Sequence, residues 1–186
     1  MNNQLFEGKL IRLAPPNAER DAEIESQWTH NAEFMRLVYA EPMHPVSPNV
    51  IKKKYQTANP DAPYAPNEIH FAIRTQEDDQ LVGFVRLMHI DWSNGGARLL
   101  LGIVDKNDRG KGYGSEALQM ILHYAFREMN LYRVSVNVLE SNERALAFLH
   151  NHGFVDEVRR RQAVQRDGKY WDFLMLGLLA EEWSTK

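Results

Sequence analysis

The chain contains no cysteine. Disulfides, thiolate metal sites and a cysteinyl acyl intermediate are therefore all excluded. Positive charge is not in surplus either: 22 Lys and Arg face 25 Asp and Glu, for a formal net charge of −3. That balance argues against a nucleic-acid partner, whose phosphates call for a basic surface. The run Arg159, Arg160, Arg161 is a local exception that reads as a solvated strand face. Apolar residues make up 44% of the chain but are broken by charge throughout, so no membrane-spanning run forms. The N-terminus lacks a basic start followed by an apolar stretch of signal-peptide length, and the expected location is the cytoplasm. Internal repeats and low-complexity tracts are absent as well. With 186 residues, one domain covering residues 1–186 can bury a sizeable core.

What is present is a succession of short periodic segments. Residues 9–14 alternate as an edge strand that Pro15 and Pro16 stop. Residues 18–55 read as two or three short helices, bent at Pro42, Pro45 and Pro48. Residues 59–67 carry three prolines with Asp and Asn, which is loop composition. Strands follow at 69–74, 81–90 and 97–104, with Asn94-Gly95 as a hairpin signal because both residues tolerate positive φ. Residues 115–130 place Ala117, Leu118, Ile121, Leu122, Ala125 and Met129 on one helical face. A strand at 132–138, a helix at 142–151 closed by Gly153 and two strands around Arg166-Asp-Gly-Lys169 complete the chain. The expected fold class is α/β (α+β): a mixed, mostly antiparallel sheet of six to seven strands flanked by helices. The helix between residues 104 and 132 is long enough to link two parallel strands.

The chemistry concentrates in Asp108-Arg-Gly-Lys-Gly-Tyr-Gly114, between a strand and the clearest helix. A glycine-rich turn opening a helix points several unpaired N–H groups, and the positive end of the helix dipole, at one place. Glycines also let a ligand approach the backbone closely. Arg109 and Lys111 add positive charge, so the expected ligand is an anion. A Walker-type loop does not fit, because Gly110-Lys111 is followed by Gly112 rather than Ser or Thr. A dinucleotide fingerprint does not fit the alternate-position glycines either.

Arg109-x-x-Gly112-x-Gly114 resembles the pyrophosphate motif of the GNAT N-acetyltransferase superfamily. Asn142-Glu-Arg-Ala-Leu-Ala-Phe-Leu-His-Asn-His-Gly-Phe154 is similar to that family's later helix. The resemblance extends over nearly the whole chain, nearest the branch of ribosomal-protein N-terminal and polyamine acetyltransferases. It implies acetyl-CoA as co-substrate, no metal, a small-molecule or peptide amine as acceptor, and a homodimer. The implied cofactor residues are Ile103, Val104, Arg109, Gly110, Lys111, Gly112, Tyr113, Gly114, Ser115 and Asn142. Ile103 and Val104 would offer a backbone N–H to the thioester carbonyl, on a strand that pairs with the pantetheine arm.

The family's usual acid and base positions are not filled in the usual way. The tyrosine position of the later helix is Leu149, the serine position of the nearest branch is Ala145, and Arg98-Leu-Leu-Leu101 holds no carboxylate. Asn142 is the best side-chain candidate in that helix, as a partner of pantetheine or as a helix cap. His150 and His152 are alternative proton donors. For the base, Glu33, Glu41, His44, His70, His89 and Asp91 are available, with Glu41 and His89 preferred. Tyr39, Tyr55, Tyr64, Trp92 and Trp171 could wall an amine pocket. Two other readings compete with an enzyme: a non-catalytic acetyl-CoA sensor and a nucleotide-phosphate binder.

Overall fold

A computed structural model describes residues 4–42, 44–57 and 67–184. The expected loop at 59–67, with Tyr64, lies outside them except for Asn67. The elements run β1 (Ile11–Ala14), α1 (Asp21–Trp28), α2 (Ala32–Val38), α3 (Pro48–Thr57), β2 (Glu68–Thr75), β3 (Leu81–Asp91) and β4 (Gly96–Ile103). They continue with α4 (Tyr113–His123), β5 (Arg133–Leu139), α5 (Glu143–Asn151), β6 (Val155–Arg166), β7 (Lys169–Leu179) and α6 (Ala180–Ser184). The strands form one sheet in the order β1-β2-β3-β4-β5-β7-β6. Every neighbouring pair is antiparallel except β4–β5, which the α4 connection makes parallel.

Alternation along β3 divides the helices between the two faces. Val85 and Leu87 point into a large core with Leu118, Ile121, Leu99, Val134 and Leu176, closed by α4 and by Leu149 and Phe154. Phe84 points the other way, into a smaller cluster with Phe34, Met35 and Val104 beneath α1 and α2. Helix α1 has little apolar character to advertise it, because the face it buries is Asp21, Ala22, Glu25 and Ser26. Asp21 pairs with buried Arg74, so this helix docks through ions rather than through an apolar stripe.

Several boundaries differ from the sequence expectation, each for a visible reason. The first strand begins at Ile11 rather than Lys9, because the ladder with β2 starts at Ile11 opposite Thr75, while the N–H groups of Lys9, Leu10 and Ile11 all donate to the Glu116 carboxylate at 2.7–2.9 Å. The helix expected at 115–130 starts earlier and loses its α form sooner. Gly112, in a left-handed conformation at φ +92°, caps α4, and Tyr124–Glu128 continues as a π turn ended by Asn130 at φ +52°. The β3–β4 connection is a four-residue loop, because Asp91 pairs with Gly96. Asp91 Oδ1 accepts from the N–H groups of Ser93 and Asn94, and only Gly95 of the Asn-Gly pair has positive φ. The two-residue turn with both φ positive occurs instead at Asp167-Gly168, between β6 and β7.

Candidate active site

The ladder between β4 and β5 pairs Gly96 with Arg133 and ends at Leu99 with Val136. Beyond that point Leu100 to Ile103 pair only with β3, and Asn137 to Leu139 only with β7. The two central strands therefore splay apart. A cleft of about 550 Å³ opens between them. Leu101, Gly102 and Ile103 form one wall, and Ser141 to Ala145 with Phe148 the other. Phe34, Leu37 and Val38 of α2 reach over it, while Asp108 to Gly110, Gly112, Gly114 and Ser115 close its end.

The backbone on the open edge is defined by the ladder on the other side. The Val104 N–H donates to Val82 O at 3.1 Å, so alternation sends the N–H groups of Gly102 and Leu100 toward β3 as well. Those of Leu101 and Ile103 face the cleft. Across its end, the first N–H groups of α4, on Tyr113, Gly114 and Ser115, have no partner within the helix. Glycine is required here by geometry: Gly110 has φ +88° and Gly112 φ +92°. A β-carbon on Gly114 would sit within the cleft, 3.8–3.9 Å from Leu101, Ile103 and Phe148.

The two loop cations are engaged with the protein. Arg109 Nε donates to Ile103 O at 3.0 Å, its terminal nitrogen donates to Val104 O at 2.7 Å, and the guanidinium lies 5.9 Å from the Phe34 ring centre. Lys111 Nζ donates to Asp108 at 2.7 Å. Neither Lys111 nor Tyr113 lines the cleft with its side chain, and Val104 lies behind it. Asn142 is the N-cap of α5: Oδ1 accepts from the Ala145 N–H at 3.2 Å, and Nδ2 donates to Leu37 O at 3.4 Å, tying α5 to α2.

The remaining sequence candidates scatter. His89 is exposed at the hairpin end of β3, six residues from the Gly83 position opposite Ile103, or about 20 Å at strand rise. Asp91 belongs to that same turn. His44 bonds Pro45 O, His150 pairs with Asp156 on the surface, and His152 bonds Phe148 O. Glu33 lies beside Asp105 and Lys106. Glu41 lines a larger cavity, of about 880 Å³, on the far side of α2. That cavity is enclosed by α2, the segment following it and the β6–β7 hairpin, and it carries Arg36, Arg160 and Arg166 against Glu41 and Asp167. The hairpin clasps α2: Arg36 and Asp167 pair through two bonds at 2.9 and 3.0 Å, and Arg166 donates to the carbonyls of Arg36, Tyr39 and Ala40.

Sequence reading named Tyr39, Tyr55 and His70 but missed Glu25 and Arg86, with which they form a buried polar group on the α1 side of the sheet. Glu25 accepts from the Tyr55 hydroxyl and lies 3.7 Å from Arg86. Burial raises its carboxyl above the ordinary glutamate value, against the pull of the Tyr55 hydrogen bond and Arg86. Burial also raises the phenols of Tyr39 and Tyr55. His70, packed on Tyr55 and Phe84, is pushed down to about 2 by burial and then by the nearby Arg86 and Lys54 charges. Its Nε2 is buried with no hydrogen-bond partner among the described residues. Nothing in the spacing of these residues announced the cluster, since it joins α1, α3, β2 and β3. Ser141 and Arg144, also missed, flank Asn142 in sequence and line the cleft.

Comparison with known proteins agrees with this architecture. Residues 11–155 match the acetyltransferase (GNAT) domain. "Probable N-acetyltransferase YjcK" of Bacillus subtilis (strain 168) is 28% identical over 178 residues, 94% of this chain and 97% of that protein. The spermidine N(1)-acetyltransferase of Vibrio cholerae is 27% identical over 112 residues, 59% of this chain and 64% of that one. A spermidine N-acetyltransferase from Vibrio cholerae, solved in complex with CoA and spermine, shares the fold with a TM-score of 0.81. It is 21% identical, covering 94% of this chain and 98% of that one. From the matched domain and the splayed strands beside a glycine-rich helix start, it follows that this chain belongs to the GNAT acetyltransferases.

Proposed function

We propose that this N-acetyltransferase moves the acetyl group of acetyl-CoA directly to a primary amine. The observation that carries the reading is the conjunction of unpaired α4 N–H groups with a β4 edge left open by the strand splay. The N–H groups of Tyr113, Gly114 and Ser115 are suited to diphosphate oxygens. The Leu101 and Ile103 edge is suited to the amides of the pantetheine arm, which would add to β4 like a further strand. Attack of the amine forms the N–C bond and puts negative charge on the carbonyl oxygen, which a strand N–H facing the cleft steadies until the C–S bond breaks and CoA leaves as the thiolate. Leu101 and Ile103 supply it rather than Val104, whose N–H is bonded to Val82.

The attacking ammonium must lose a proton and the departing thiolate must gain one. Glu41, a carboxylate in the larger cavity across α2 from the cleft, is our choice for drawing in the amine, whose proton leaves to water before attack, and Ser141, beside Asn142 in the cleft, for donating one to sulfur. His89 is set aside because it lies at the opposite end of β3. The charges around Glu41 also bear on the acceptor. A polyamine entering this cavity would meet Arg36, Arg160 and Arg166, of which Asp167 offsets one. An amine that carries its own anionic group, such as an acidic peptide N-terminus, suits this lining better.

The test is acetylation by mass spectrometry of a panel holding spermidine, neutral amines and acidic peptides. Turnover highest on the anionic amines is expected, with Glu41→Gln raising the KM for the amine and Ser141→Ala lowering kcat. Saturable CoA binding without turnover on any amine would contradict the enzyme reading, and preference for spermidine would contradict the acceptor class.

A further inference from the structure

The glycine-rich loop is expected to bring its own arginine to the diphosphate, yet Arg109 is turned away from that task. Two of its donors are committed to Ile103 O and Val104 O, and its guanidinium rests near Phe34. A planar guanidinium held at two adjacent carbonyls cannot also present its fork across the loop. Lys111 is exposed and held by Asp108. The loop's positive charge is thus spent on the strand end and on the loop itself, so that what the loop offers an anion in the cleft is its backbone dipoles.

Arg144 occupies the vacant role. It is exposed in the first turn of α5, it lines the cleft, and its terminal nitrogen comes within 3.7 Å of where a Gly110 β-carbon would stand. Among the described residues it makes no ion pair or side-chain hydrogen bond. A cation in the first turn of a helix opposes the helix dipole; Glu143 precedes it in the same turn and also lines the cleft, but among the described residues the two form no ion pair. The α4 and α5 starts meet at the same cleft, so an anion there would face two helix N-termini and one uncommitted guanidinium.

The geometry points to Arg144 as the side chain that grips the CoA diphosphate, with Arg109 a positioning residue that straps the end of β4. This assignment rests on the loop being the diphosphate site. Titration calorimetry with CoA, 3′-dephospho-CoA and pantetheine separates the two claims. Arg144→Gln is expected to weaken CoA and dephospho-CoA by the same factor, about 10- to 100-fold for one charge-assisted contact, and to leave pantetheine unchanged. Arg144→Lys should recover part of the loss. Arg109→Gln should lower Tm while changing the CoA Kd by less than about threefold below the melt, since its bonds are to the protein.

A loss confined to CoA would place Arg144 at the 3′-phosphate and overturn the assignment. Equal loss on pantetheine would do so too, by making Arg144 a shaper of the cleft, as would an Arg109→Gln loss matching that of Arg144→Gln. Failure of the unaltered protein to bind CoA would instead overturn the loop reading on which the assignment rests. Because Arg144 is exposed, its variants should melt close to the parent, and a melting curve run with each titration verifies that the binding loss is not a folding loss.

Discussion

Adding one methyl group at each of two loop glycines should move stability in opposite directions while both weaken CoA binding. Gly112 has φ +92°, and a β-carbon there would stand 3.0 Å from Leu10 Cδ1. Left-handed backbone costs an L-residue about 1–2 kcal/mol, and the flexible Leu10 tip can yield, so Gly112→Ala should destabilise by about that much. Gly114 lies inside the first turn of α4 with no positive φ, and its β-carbon would meet only ordinary contacts at 3.8–3.9 Å. Relief of glycine's entropy should stabilise Gly114→Ala by about 0.5–1 kcal/mol. At 2–4 °C per kcal/mol for a chain of this size, Tm should fall by about 2–8 °C in the first variant and rise by about 1–4 °C in the second. Gly112→Ala should weaken CoA by disturbing the cap that aims the helix N–H groups, and Gly114→Ala by placing a methyl among Leu101, Ile103 and Phe148. Differential scanning calorimetry and CoA titration read both quantities. A Gly114→Ala protein that is more stable and binds CoA as tightly as the parent would refute the placement of the ligand in this cleft.

Two further perturbations test the acceptor side. His70 is neutral in the folded protein down to about pH 2 but takes a proton near pH 6.5 when unfolded, so between these values the unfolded state binds more protons. Stability from this group is therefore full above pH 6.5 and is lost as pH falls, at up to about 1.4 kcal/mol per pH unit. Glu25, with its raised pKa, acts in the opposite sense just above its ordinary value, so the comparison is between proteins. Denaturant melts of His70→Phe from pH 6.5 to 4.5 should show a shallower loss than the parent, and parallel curves would contradict the burial of an unpartnered imidazole. Arg166→Ala removes charge-assisted bonds to one carbonyl of α2 and two just after it and should cost about 1.5–3 kcal/mol, whereas Arg36→Ala breaks a largely exposed pair and should cost under about 1 kcal/mol. Because Leu37 and Val38 of α2 wall the cleft, Arg166→Ala should also raise the KM for acetyl-CoA. Equal effects of the two substitutions would show that the hairpin does not hold α2 through Arg166.

The parts of this fold that were legible in the sequence are those specified locally. Helix α4 follows from apolar residues three and four apart, the strands from alternation and the diphosphate loop from glycines preceding a helix start. Helix α1 was harder to read because its buried face is Asp21, Glu25 and Ser26: Asp21 meets Arg74, Glu25 meets Arg86 and Tyr55, and the Ser26 hydroxyl donates to Val46 O, all from other parts of the chain. The two Gly-containing turns show the same limit. Asn94-Gly95 lost its two-residue turn to the Asp91 side chain, and Asp167-Gly168 kept its own. The splay between β4 and β5 leaves no mark in either strand's pattern, since it depends on where pairing stops rather than on which residues form strands. The direction of Arg109 was equally hidden, because the carbonyls that capture it belong to the end of another element.

A crystal structure of the protein with CoA tests the central claim most directly. The diphosphate should lie within hydrogen-bond distance of the N–H groups of Tyr113, Gly114 and Ser115, with the pantetheine arm against Leu101 and Ile103. A diphosphate bound away from the start of α4, with the gap between β4 and β5 left empty, would contradict the account.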